Sequence, residues 1–164
     1  MAISADGFIA KKNGDSDWVS PVDTVNFKKA MEEHGCIIVG RKTFDQYQGE
    51  IYPVAGVTNI VITSDKSRKS DKPNVHFLTD SVEEIIEFIK QKGHDRALLI
   101  GGGTTNALFL KAGAIDEMIL SVHPLILGNG IKLFESDEVS VQLGLISETK
   151  LEEGLIQAKY QVLK

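Results

Sequence analysis

The sequence predicts an α/β protein whose sheet is parallel at its centre and antiparallel at one edge. Three observations predict it. Short runs rich in Ile and Val, at 2–5, 37–39, 59–63, 75–78 and 97–100, mostly lack polar alternation, as strands buried on both faces do. Helical patterns lie between them. The last third changes character: 117–127, 141–149 and 155–163 read as long strands, and Glu152-Glu153-Gly154 is a turn signal that makes a hairpin of the last two.

In chain order, the first strand leads into a polar stretch at 11–17. Ser20-Pro21-Val22-Asp23 then starts a helix, with Ser20 as N-cap, Pro21 at the first helical position and Asp23 at the third. That helix runs over 21–33 and is closed by Gly35. The next strand contains the one cysteine, Cys36, in the run Cys36-Ile37-Ile38-Val39, which reads as a buried structural thiol. Gly40-Arg41-Lys42-Thr43 follows it and opens another helix. Residues 64–73 form a polar surface loop. Ser81-Val82-Glu83-Glu84 is a capping box, with Val82, Ile85, Ile86 and Ile89 at helical spacing and Gly93 as the stop. Ile100-Gly101-Gly102-Gly103-Thr104 leads into a short helix over 105–111, before Gly113.

At 164 residues one domain is expected. A net charge of -5 without a basic block excludes nucleic acid as an expected partner. No run reaches the ~18 apolar residues of a membrane span. Lys11, Lys12 and Asp15 follow the first apolar stretch too soon for a signal peptide. One cysteine allows no disulfide within the chain, which suits a reducing cytoplasm. His34, His76, His94 and His123 lack metal-ligand spacing, so no metal site is expected.

Two kinds of chemistry stand out. Asp23 sits in the first helical turn beside Trp18, Val22 and Phe27. It serves as a helix-capping acid, worth roughly 0.3–1 kcal/mol, or as a shielded carboxyl that handles a proton near neutral pH. The second kind is anion binding at three strand-to-loop turns. Gly101, Gly102 and Gly103 allow a phosphate close to the backbone at a helix start. Arg41 and Lys42, beside Gly40 and Thr43, suit an anion, and Thr63 and Ser64 carry hydroxyls. The glycine run is neither a dinucleotide fingerprint, since Asn106 takes its sixth position, nor a P-loop. All three turns fall at carboxyl ends of strands, which line one ligand crevice in open α/β sheets. Together they suit a long, multiply phosphorylated ligand.

These residues, in this order, resemble the dihydrofolate reductase superfamily, in the branch shared with the reductase domain of riboflavin biosynthesis. Trp18-x-x-Pro21-x-Asp23 with Phe27 resembles the catalytic-acid segment, and the segment from Ala2 to Ala10 resembles the first strand and the turn into an active-site loop. Met1 falls within that strand, which is expected to be short. Asp116-Glu117, the run Pro124-Leu125-Ile126-Leu127-Gly128-Asn129-Gly130 and Leu133-Phe134 resemble the riboflavin-type reductases. The resemblance implies a three-layer fold, a C-terminal antiparallel hairpin and NADPH as cofactor. It implies cofactor contacts from Ala2, Ile9, Gly40, Arg41, Lys42, Thr43, Thr63, Ser64, Gly101, Gly102, Gly103 and Thr104.

It further implies a catalytic Asp23, a substrate pocket walled by Trp18 and Phe27 with Ser121 in support, and a lid over 11–17. The implied substrate is the phosphoribosylamino-pyrimidine of riboflavin synthesis. 7,8-Dihydrofolate is the alternative, and a nucleotide-binding protein without turnover is the third. Val57 stands where dihydrofolate reductases place an arginine for the folate carboxylate, which argues against folate. Thr104 stands where some members carry an arginine for the ribose phosphate. Lys11 and Lys12 are candidate partners for a substrate phosphate. A homodimer is expected, paired through the strands at 117–127.

Overall fold

The computed structural model describes residues 1–136 and 140–164. The elements run β1 (Ala2–Ser4), β2 (Phe8–Ala10), α1 (Pro21–His34), β3 (Cys36–Gly40), α2 (Arg41–Gln46), β4 (Thr58–Ile62), β5 (Val75–Leu78), α3 (Val82–Gln91), β6 (Leu98–Leu99), α4 (Gly103–Lys111), β7 (Glu117–His123), β8 (Ile131–Lys132), β9 (Gln142–Lys150) and β10 (Ile156–Leu163). A single 3-10 turn, Glu152–Gly154, joins the last two strands.

Four strands pair in the order β5-β4-β3-β6, all parallel. Alternation along β3 sends its side chains into two separate cores. Ile37 and Val39 join Met31 of α1 and Phe44 of α2 on one face. Cys36 and Ile38 join Val82, Ile85 and Ile89 of α3 and Phe109 of α4 on the other. Helices thus cover both faces in three layers, and both faces exclude water, which is why β3 and β4 carry unbroken apolar runs. Each fully buried Ile or Val contributes about 1.5–3 kcal/mol of hydrophobic stabilisation.

The second sheet has the order β1-β7-β10-β9, parallel between β1 and β7 and antiparallel beyond. The fold is therefore α/β and dihydrofolate reductase-like, with the antiparallel hairpin at its C-terminal edge. A two-stranded ribbon, β2 with β8, lies outside both ladders. Neither of its strands stands out in the sequence, because two or three residues carry no periodicity.

Two expectations need correction. The strand expected over 117–127 stops at His123, because Pro124 has no N–H to continue a ladder. That strand, β7, is flanked by β1 and β10, so it has no free edge for a partner; the terminal strands of this sheet are the three-residue β1 and the long β9. Helix starts follow the sequence signals closely. Ser20 Oγ accepts the Asp23 N–H at 3.2 Å, and Gly35 closes α1 at φ 66°. Ser81 and Glu84 form the reciprocal capping box of α3. No helix among the described residues is long and apolar enough to cross a membrane.

Candidate active site

Parallel pairing places the ends of β3, β4 and β6 on one edge of the first sheet. Between that edge, α1 and the second sheet lies a cavity of about 1050 Å³, at the upper end of the ~300–1,000 Å³ usual for ligand sites.

Asp23 reaches this cavity from the first turn of α1 and is 6% exposed. Its backbone N–H completes the Ser20 cap. Its carboxylate accepts no hydrogen bond and joins no ion pair among the described residues, although the cap would have been satisfied by the backbone alone. The buried side-chain polar atom without a partner among the described residues is Trp18 Nε1, whereas the Asp23 oxygens are left open to the cavity, where a ligand can reach them. The carboxylate charge also reaches the Met1 amino group, whose pKa desolvation lowers and Asp23 partly restores. Phe27, one turn along α1, lines the cavity and packs against Met31 and Tyr52.

The start of α1 is anchored from behind. The Ser20 N–H donates to His123 Nε2 at 3.2 Å, and His123 Nδ1 lies 3.0 Å from the Ser121 carbonyl. With Nε2 accepting, the proton belongs on Nδ1, which then donates to that carbonyl. Trp18 packs edge-on against the His123 ring at 5.1 Å. It is absent from the cavity lining, so it braces this anchor, while Val19 and Phe27 form the wall. Ser121 lines the cavity opposite, paired in register with Ala2 and receiving a hydrogen bond from Gln157 at 3.2 Å.

At the sheet edge the Gly40 N–H donates to the Gly101 carbonyl at 2.7 Å, clasping two of the expected turns together. Gly40 leaves no space for a Cβ against Thr105, nor does Gly103 against Lys132 and Glu135. Gly101 holds φ 96°, a conformation that favours glycine. Gly40 and Gly103 thus serve close packing, and Gly101 serves the backbone turn. Gly102, the fourth glycine of these turns, opens to the cavity, where a Cβ would stand 3.2 Å from Thr43 Oγ1. The first-turn amides of α4 have no intrahelical acceptors, so this corner is a cradle for an anion.

Arg41 lies off the cavity and bonds Asp45 at 3.2 Å; Asp45 also binds Arg68, which covers the Phe77 ring at 4.9 Å. Thr63 Oγ1 accepts the Asp65 N–H at 3.1 Å, and Ser64 is exposed beside it. Thr104 is exposed on α4.

Segment 11–17 forms a compact turn over the cavity. Tyr47, at the end of α2, donates to the Gly14 carbonyl at 3.1 Å and meets Ser16 Oγ at 2.9 Å. Lys11 pairs with Asp17 at 2.6 Å. The cavity therefore brings together Ala2, Ile9, Asp23, Phe27, Lys42, Thr43, Gly102 and Ser121, and leaves Trp18, Gly40, Arg41, Thr63, Ser64, Gly101, Gly103 and Thr104 around or beyond it. Sequence reasoning missed Tyr47, Glu50 and Tyr52, which carry no local pattern. Asn26, Ala30 and Glu33 were also missed, although they continue the Asp23 face of α1 at helical spacing. Among the described residues no group of His, Cys, Asp or Glu is placed to hold a metal ion.

A family model described as the RibD C-terminal domain matches residues 1–157. The chain belongs to that family, a reductase domain of the dihydrofolate reductase superfamily. It is 27% identical to the uncharacterised protein YyaP of Bacillus subtilis (strain 168), covering 98% of this chain and 91% of that protein. A crystal structure from Shewanella sp. PV-4, of a protein named for riboflavin biosynthesis, matches with TM-score 0.82 and 28% identity over 100% of this chain and 97% of that one. A Thermotoga maritima diaminohydroxyphosphoribosylaminopyrimidine deaminase/5-amino-6-(5-phosphoribosylamino)uracil reductase matches with TM-score 0.77 and 18% identity, covering 99% of this chain and 55% of that one. That last likeness is one of fold.

Proposed function

We propose that this chain is an NADPH-dependent reductase of a small nitrogen heterocycle or imine. The single observation that carries the reading is the Asp23 carboxylate, without a hydrogen-bond partner among the described residues, opening onto a cavity whose far corner suits an anion. The corner suits the cofactor: Gly102, Thr43 and the α4 amides would hold the pyrophosphate, with Arg41, Lys42, Thr63 and Ser64 towards a ribose phosphate. NADPH, when bound, supplies the hydride. Asp23 accepts hydrogen bonds from substrate ring nitrogens and holds the proton that accompanies reduction. Phe27 and Val19 exclude water, which strengthens those bonds. Segment 11–17 closes over the site as a lid held by Tyr47.

The phosphoribosylamino-pyrimidine of riboflavin synthesis is the first reference substrate, by family. Dihydrofolate is second and weaker, because Val57 is 2% exposed inside the core and offers no cation. The chain works in a reducing compartment, the cytoplasm, where Cys36 stays a thiol. It pairs with a second copy through β9, whose Leu143, Leu145 and Ile146 are exposed on the open edge. Steady-state NADPH oxidation against both reference substrates tests the reading. Saturable oxidation with a heterocycle is expected; NADPH binding without oxidation by any such compound points to a nucleotide-binding protein instead.

A further inference from the structure

Both reference substrates end in an anion, a phosphate or a glutamate carboxylate. The cavity's outer end is built differently. Asp23, Asn26, Phe27, Ala30 and Glu33 line the cavity along one face of α1, so Glu33 stands about 15 Å from Asp23 at ~1.5 Å per residue. A substrate held at Asp23 extends along this row. The opposite wall is Glu50, Ile51 and Tyr52, set beside α1 because Tyr52 shares a core with Met31 and Phe27.

The charges along this path are mostly negative. Lys29, the α1 lysine that lines the cavity, is paired with Glu33 at 3.7 Å, and Glu50 on the opposite wall has no ion pair among the described residues. On the lid, Lys11 is taken by Asp17, and Lys12 lies close in sequence to Asp15 and Asp17, which line the same cavity. No arginine lines the cavity among the described residues. At the inner end Asp23 accepts no hydrogen bond among the described residues and faces the Met1 amino group, while Lys42 lines the cofactor corner. It is therefore the outer path between Glu33 and Glu50 that favours N–H donors and opposes anions.

We infer that the substrate of this site is a nitrogen heterocycle whose distal substituent is uncharged or cationic, and that Glu33 and Glu50 select against a phosphate or carboxylate tail. The inference rests on the reductase reading and narrows it: the riboflavin precursor fits in its dephosphorylated, ribosyl form better than as the phosphate ester.

The test uses the full chain with NADPH and a matched pair, 5-amino-6-(5-phosphoribosylamino)uracil and the same compound without its phosphate. The dephosphorylated member is expected to show a kcat/KM about tenfold higher at low salt. The gap narrows at high salt as the rim charges are screened. Glu50 is exposed, so Glu50→Lys keeps the fold and raises kcat/KM for the phosphorylated member. Where turnover is slow, calorimetric Kd values for the pair decide in the same order. A wild-type preference for the phosphate ester, or a preference that Glu50→Lys leaves unmoved, overturns the inference while the reductase reading stands. Binding of neither member overturns both.

Discussion

Asp23 shows how one residue carries two roles through different atoms. Its N–H satisfies the helix cap, and its carboxylate is left free to face the cavity. Asp23→Asn keeps the N–H, so stability changes by less than about 1 kcal/mol through the helix dipole, and a thermal melt will register little. Cys36 illustrates the opposite case. It is 0% exposed, and burial pushes its thiol up to about 11. The thiolate is the reactive form, so a disulfide reagent at neutral pH will label Cys36 only at the rate of unfolding. The unfolded thiol ionises first, so the stability due to this burial is complete below pH 9 and is lost as pH rises towards 11. Denaturation midpoints measured across that alkaline range check the sign.

Local devices hold the elements around the site. Ser81 accepts the Glu84 N–H at 3.3 Å and donates its own N–H to Glu84 Oε2 at 2.9 Å. Ser81→Ala is expected to cost about 1 kcal/mol in urea denaturation. Asn59, fully buried in β4, accepts the Val54 N–H at 2.9 Å and donates to the Val54 and Val57 carbonyls at 3.0 and 2.7 Å. While Asn74 Nδ2 still donates to the Val54 and Val57 carbonyls at 3.1 and 3.0 Å, Asn59→Ala strands the Val54 N–H at roughly 1–3 kcal/mol. It is expected to loosen the neighbouring 50–52 wall and raise KM more than it lowers kcat.

The caps of α1 and α3 and the buried strands β3 to β5 were legible because their signals are local: a hydroxyl before a helix, an apolar run between breakers. Asp23 and the glycine turn were legible for the same reason. The β2–β8 ribbon, the Tyr47 brace and the Glu50 wall were not, because each depends on a partner far along the chain. The resemblance puts Trp18 in the pocket wall. The structure turns it onto His123, a residue a hundred positions away that no local pattern connects to it.

At the scale of the whole molecule, two sheets and one helix make a cavity with a charge gradient. Gly102, Thr43 and the free amides of α4 lie at one end, and the carboxylates of Asp23, Glu33 and Glu50 lie along the other. In the proposed reading the phosphorylated cofactor takes the first end and a substrate with an uncharged or cationic tail takes the second. The exposed apolar edge of β9 is the remaining large-scale feature. Sedimentation is expected to show a dimer at micromolar concentration, reduced to monomer by Leu145→Lys on that edge; monomer in the unmodified chain would remove the dimer. The central claim is that Asp23 handles the proton in an NADPH-dependent reduction. It is tested most directly by substrate-dependent NADPH oxidation in the wild type and Asp23→Asn, with NADPH affinity measured on both. The account predicts a kcat/KM lowered by about 10²–10⁴-fold in the variant at unchanged NADPH affinity. Equal turnover in the two proteins would contradict it.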